Sequence, residues 1–167
     1  MKKVIFPGSF DPFHNGHLDI VNEALNLFDK VVITISNNPS KKNYWFNIEK
    51  RKKLVCKCIK NLNNVEVVVT GDTPIEDICH KLNIFNVIRG IKAGRTVDEE
   101  IRLKNVTDYM SNKKYKEKIS FIYFLTSDAD FRGSSVIKKY AGSKQILKDL
   151  IPSEIIDDVL KKYKEVI

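Results

Sequence analysis

Two of the three histidines in this chain, His14 and His17, stand three residues apart in the segment Phe6-Pro7-Gly8-Ser9-Phe10-Asp11-Pro12-Phe13-His14-Asn15-Gly16-His17. Imidazole donates hydrogen bonds to phosphoryl oxygens and can take up a proton as negative charge builds, so the pair suits phosphate chemistry. Pro7-Gly8-Ser9 reads as a tight exit from a strand, where backbone can approach a ligand closely. Gly16 reads as a sharp entry to a helix, whose N-terminus offers open N–H groups and a partial positive charge to phosphate. Two other readings compete: the histidines merely cap the helix, or they begin a metal site with Asp11. No further cluster of His, Cys or Asp is evident to complete a zinc site, so no metal ligand is expected. The chain has neither a GxGxxG fingerprint nor a GxxxxGK[ST] loop.

The elements that must position these residues follow from apolar runs. Val4-Ile5-Phe6, Lys30–Ser36, Asn64–Thr70, Phe85–Arg89 and Ile119–Leu125 read as five strands, uniformly apolar as in a parallel sheet covered on both faces. Leu18, Val21, Leu25 and Phe28 fall at helical spacing, as do Ile48, Val55, Ile59 and Leu62. Further helices are expected over Pro74–Leu82, over Val97–Met110 and after Pro152, with Ser111–Lys118 as a surface loop. Strand and helix alternate, so the fold expected is α/β: a single Rossmann-like domain over residues 1–167, with a five-stranded parallel sheet and helices on both faces. Such sheets place ligands beyond the carboxyl ends of their strands. That directs attention to the segments 7–17, 36–45, 70–77, 89–100 and 126–139.

Composition sets the outer bounds. A chain of 167 residues with 43% hydrophobic and 30% charged residues is one globular domain. No apolar run is long enough to cross a bilayer. Met1-Lys2-Lys3 precedes only three apolar residues, too few for a signal-peptide core, so a cytoplasmic protein is expected. The net charge of +8 points to a polyanion partner. Its lysines are spread along the chain among Asp and Glu, however, with no basic arm. Cys56, Cys58 and Cys79 are an odd set, expected to be buried or half-buried free thiols.

Gly8-Ser9-Phe10-Asp11-Pro12 followed by His14-x-Gly16-His17 resembles the signature of the HxGH nucleotidyltransferases, which transfer a nucleotidyl group from a nucleoside triphosphate to a phosphate or similar acceptor. Asn38-Pro39-Ser40-Lys41-Lys42 closely resembles the NPSKK loop of bacterial phosphopantetheine adenylyltransferases. Arg89-Gly90-Ile91-Lys92-Ala93 is similar to their RGLRA segment, and Ser134-Ser135-Val136-Ile137-Lys138 to the end of their ISSTxVK stretch. The chain departs from the family at Lys92, which stands for an arginine, at Gly94–Asp98, at Arg132-Gly133, and at Gly71-Asp72-Thr73-Pro74, which stands for an apolar run.

The resemblance implies transfer of AMP from ATP to 4′-phosphopantetheine, giving dephospho-CoA and pyrophosphate, with Mg²⁺ accompanying ATP. It assigns His17, Lys41, Arg89 and His14 to catalysis. Ser9, Phe10, His17, Gly90, Lys92, Glu100, Ser134 and Ser135 fall to ATP, and Ser9, Lys41, Arg89 and Thr73 to the acceptor. It implies a homo-oligomer, a hexamer in the family, with no nucleic acid or membrane partner. Two alternatives stand beside it. One keeps the chemistry but changes the acceptor, to nicotinamide or nicotinate mononucleotide with ATP or glycerol phosphate with CTP. The other is a non-enzymatic basic module that binds nucleic acid.

Overall fold

A computed structural model describes residues 1–38, 41, 43–91, 97–125 and 133–166. Five parallel strands form one sheet: β1 (Lys3–Gly8), β2 (Lys30–Ser36), β3 (Val65–Gly71), β4 (Asn86–Ile91) and β5 (Ser120–Leu125), in the order β3-β2-β1-β4-β5. The chain runs outward from β1 to β3, then returns to the other side of β1 for β4 and β5. The switch point therefore lies between β1 and β4, and the His14–His17 segment leaves the sheet beside it.

Alternation along the strands divides the core. Val4 and Phe6 of β1 face α1 (Asn15–Leu27) and α2 (Ile48–Cys58), packing with Val21, Ala24, Val55 and Ile59. Ile5, between them, joins Val32 and Val87 against Ile78 and Cys79 of α3 (Ile75–Leu82) on the opposite face. Both faces are thus covered, which is why β1 and β2 tolerate apolar residues at nearly every position. A third cluster gathers α5 (Ser134–Tyr140), α6 (Lys144–Leu150) and α7 (Ile156–Val166) around Leu54 of α2 and Phe46. The α/β architecture expected from sequence is the one observed.

Two local expectations are corrected, and one helix appears that the sequence pattern does not show. The helix α4 (Val97–Tyr115) runs into the segment read as a loop, and Ser111 is fully buried. Its last turn is held on α3: Lys114 and Tyr115 both donate to Asp77, at 2.9 and 2.8 Å, and the Tyr115 ring stacks on His80 at 3.9 Å. The lysines that suggested a solvated loop are partly spent on these contacts. The helix α6 carries too short an apolar stripe to stand out, and its place is set by Leu147 and Leu150 in the third cluster. Cys56 is exposed; burial raises the Cys58 and Cys79 thiols to about 12, and all three are free.

Among the described residues, no helix is long and apolar enough to cross a membrane. The helix α7 is anchored to α2 by Asp158, which accepts from Lys50 at 2.5 Å and Lys57 at 2.7 Å. Burial opposes the charged form of Asp158, but the two lysine hydrogen bonds outweigh it and hold the carboxyl below the usual range. A depressed carboxylate pKa stabilises the fold above the unfolded-state value of about 3.9, and the contribution is lost as pH falls through the folded value. Asp158→Asn is therefore expected to be less stable than the wild type near neutrality, with the gap closing below about pH 4. Urea unfolding across pH 3–7 checks this, and a gap unchanged by pH contradicts it.

Candidate active site

The loop leaving β1 is built around aromatic packing. Phe10 adopts a left-handed backbone, φ 48°, and folds its ring back across Gly8. A Cβ on Gly8 would lie 2.7 Å from the tip of that ring, so the absent side chain is required by Phe10 itself. The Phe10 ring is 1% exposed and lies with Phe6 and Phe13 beneath the imidazole of His17, at centroid distances of 4.9, 6.0 and 5.3 Å. Its side chain is thus closed to a nucleotide, and only its backbone remains to serve one.

His14 is the N-cap of α1, and His17 is the third residue of the helix. Each ring accepts the other's backbone N–H through Nδ1, both at 3.2 Å, and the rings stack at 3.4 Å. This is a capping box made of imidazoles. An Nδ1 that accepts a backbone N–H carries no proton, so each neutral ring holds its proton at Nε2 and presents a donor there. His14 is buried at 2% exposure, while His17 is half open. The capping and phosphate readings of the pair are therefore compatible: the cap sets the tautomer that phosphate chemistry requires. Gly16 lies within the first helical turn and not at a bend before it.

Asp11 has no exposure at all and ties three segments together. Its carboxylate accepts from the backbone N–H groups of Trp45 and Phe46, both at 2.9 Å, and from the Lys138 ammonium at 2.5 Å. Ser134 of α5 donates to the Pro12 carbonyl at 3.3 Å, a second link between α5 and the loop. Ser135, one residue on, is exposed at the start of that helix. The N-cap of α5 is Gly133, with no side-chain capping bond.

Lys41, beyond β2, donates to the Ser9 hydroxyl at 2.7 Å, which brings two expected phosphate ligands together. Pro39, Ser40 and Lys42 of the same loop, Lys92 after β4 and Arg132 before α5 lie outside the described residues. Arg89, in β4, makes a bidentate pair with Glu100 of α4 at 3.0 and 2.9 Å, with the Glu100 side chain 4% exposed. These two residues, assigned to the acceptor and to ATP by resemblance, here face each other. Gly90 is explained by packing: a Cβ would meet Ile20 of α1 at 2.5 Å. Thr73 stands exposed beyond β3, at the far edge of the sheet. No group of three or more metal-ligating side chains occurs among the described residues, and Asp11 already spends its oxygens on Trp45, Phe46 and Lys138.

Sequence reasoning missed Arg51. Among the described residues it is the largest fully buried side chain, at 1% exposure. Its guanidinium donates to the carbonyls of Ser9 (2.8 Å) and Ser36 (3.1 Å) and to Asn37 Oδ1 (2.7 Å), and stacks on Tyr44 at 4.3 Å. Burial lowers its pKa, while Asp11 and Tyr44 act in the opposite direction. The available signal was an arginine on the inner side of a stripe otherwise made of Ile48, Val55 and Ile59.

Residues 5–139 match the cytidylyltransferase-like family. The chain is 37% identical to a phosphopantetheine adenylyltransferase of Clostridium tetani over 163 residues, 97% of this chain and 98% of the relative. It is 34% identical to the protein of the same name in Staphylococcus haemolyticus, covering 98% of each chain. A third such relative, from Buchnera aphidicola, is 33% identical over 99% of this chain and 98% of its own. A lipopolysaccharide core biosynthesis protein from Thermoplasma volcanium shares the fold, with a TM-score of 0.57 at 16% identity over 77% of this chain and 99% of its own.

Removing the Asp11 carboxylate strands two backbone donors and a lysine. Asp11→Ala is expected to lower the unfolding free energy by about 2–5 kcal/mol, measured by urea titration. A loss below about 1 kcal/mol would show that the carboxylate is not the tether.

Proposed function

Because the chain belongs to the cytidylyltransferase-like family, in its phosphopantetheine adenylyltransferase branch, we propose that it joins the adenylyl group of ATP to the phosphate of 4′-phosphopantetheine. The products are dephospho-CoA and pyrophosphate, a step of coenzyme A biosynthesis. In this reading the enzyme works in the cytoplasm. The observation that carries the reading is the paired imidazoles at the start of α1, with the Ser9–Lys41 pair on the same loop, at the switch point of the sheet.

The acceptor phosphate is ionised at neutral pH, so the reaction needs no protein nucleophile. An acceptor oxygen attacks the α-phosphorus of ATP in line, the bond to the bridging oxygen breaks, and pyrophosphate carries the electron pair away. The chain's task is to position the reactants and stabilise charge. His17, through its Nε2–H, donates to the α-phosphoryl oxygen as charge gathers there. His14 holds the His17 ring in that orientation from below. Lys41 swings between Ser9 and the phosphates, a flexible ammonium that can follow a moving charge. Arg89 offers the acceptor phosphate the N–H groups that Glu100 does not use. Backbone groups of Ser9 and Phe10, with Gly90, Ser134 and Ser135, line the nucleotide side, and Thr73 the acceptor side. Mg²⁺ accompanies ATP. The described residues do not form a protein-built site for it, and no step is derived through the ion.

Self-association belongs to the same reading. The helix α4 exposes Val106 at 62% and Tyr109 at 65%, one turn apart, and the edge strand β5 exposes Leu125 at 83%. Exposed apolar side chains on α4 and at the end of the edge strand fit a contact with a second copy of the chain. Tyr109→Glu is expected to shift the protein towards monomer in sedimentation; a wild type that is already monomeric contradicts the contact.

His17→Gln separates chemistry from folding, because glutamine is itself a good partner in a capping box. Pyrophosphate release is expected to fall on the order of 100–1,000-fold with circular dichroism unchanged. Near-normal turnover would remove His17 from the reaction. The acceptor is tested by offering the wild type phosphopantetheine or nicotinamide mononucleotide with Mg-ATP, and glycerol phosphate with CTP. Pyrophosphate is expected with the first alone.

A further inference from the structure

Arg51 is a buried cation with no carboxylate in its hydrogen-bond shell among the described residues. A charge so enclosed is retained only where its geometry matters, since its desolvation is costly. Its partners are informative. The Ser9 carbonyl follows β1, the Ser36 carbonyl ends β2, and Asn37 stands one residue beyond. One planar fork therefore staples the carboxyl ends of two adjacent strands. The tie continues in both directions: Asn37 Nδ2 donates to Asp72 beyond β3 at 3.0 Å, and the Ser9 hydroxyl accepts from Lys41 at 2.7 Å. The Asn37 amide is thereby oriented without ambiguity, its oxygen towards Arg51 and its nitrogen towards Asp72.

We propose that Arg51 is a positioning residue of the phosphate site: it fixes the backbone of Ser9 and the exit of β2, and so sets where Lys41 meets the phosphates. It does not touch substrate itself. The guanidinium is required because three acceptors at the ends of two strands fit a rigid fork and not a single ammonium. Its charge, lying beneath the loop, adds to the field that receives a triphosphate.

The inference rests on the adenylyl-transfer reading for its rate assay, so the test also uses equilibrium binding of Mg-ATP. Arg51→Lys keeps the charge and loses the fork. It is combined with Lys41→Ala in a double-mutant cycle, with thermal unfolding as the check on folding. Arg51→Lys alone is expected to lower kcat/KM for the acceptor up to about 100-fold, the scale of an ångström-sized misplacement. In the Lys41→Ala background the same change is expected to cost no more than about twofold, because the group it positions is gone. Equal losses in both backgrounds, in rate and in affinity, would mark Arg51 as a general structural residue and overturn the proposal; so would an Arg51→Lys enzyme with wild-type constants. Should Arg51→Lys fail to fold, Asn37→Ala, which removes one acceptor of the fork, enters the same cycle with the same two expectations. A wild type that binds Mg-ATP but releases no pyrophosphate with phosphopantetheine sinks the adenylyl-transfer reading alone, and the cycle is then decided on affinity. A wild type that does neither overturns both.

Discussion

The buried carboxylate of Asp11 is the constraint on which the site depends. Its two oxygens take three donors from two distant segments, the backbone at Trp45 and Phe46 and the side chain of Lys138. It joins the loop after β1, the approach to α2 and the helix α5 at one point. With it, the segment that bears the histidines is fixed against the segment that bears Ser134 and Ser135. A charge held at zero exposure is costly unless fully paired, and here the pairing is the architecture.

The histidine pair shows how a fold-level need and a chemical need are met by the same atoms. A helix start leaves N–H groups without partners, and two of them are satisfied by imidazole Nδ1 atoms. That occupation fixes the proton on Nε2, the tautomer that can donate to a phosphoryl oxygen. The aromatic bed of Phe6, Phe10 and Phe13 then limits the tilt of the His17 ring. Three features of the site thus have packing causes. Gly8 makes room for Phe10, Phe10 supports His17, and Gly90 makes room for the Ile20 methyl that seats α1 on β4.

What was legible in sequence follows from what leaves a periodic or compositional trace. The strands stood out because both faces of the sheet are buried, and α1 to α3 because their stripes meet that sheet. The end of α4 did not, because Lys114 and Tyr115 gain their partners from Asp77 and His80 of α3, about 35 residues away in sequence. His14, His17, Ser9 and Lys41 were legible by type and by position after a strand. Arg51 was not, since a lysine-rich helix hides one buried arginine. Only the fold brings the Ser9 and Ser36 carbonyls to it.

The Arg89–Glu100 pair changes how the charge of the site is distributed. A bidentate carboxylate takes two of the five N–H groups of the guanidinium and cancels much of its charge. In the proposed reaction Arg89 would then meet an acceptor phosphate chiefly through directed hydrogen bonds, its plane set by Glu100 and its reach limited by partial burial. Glu100 is itself placed by the start of α4 and is bonded through its carbonyl to the Tyr123 hydroxyl at 3.4 Å. Lys41 is exposed on the β2 side, where its ammonium donates to the Ser9 hydroxyl. In the adenylyl-transfer reading proposed above, the paired fork on the β4 side and the exposed ammonium on the β2 side divide the work. In that reading, one would orient the phosphate that attacks, and the other would follow the charge as it passes to the phosphate that leaves.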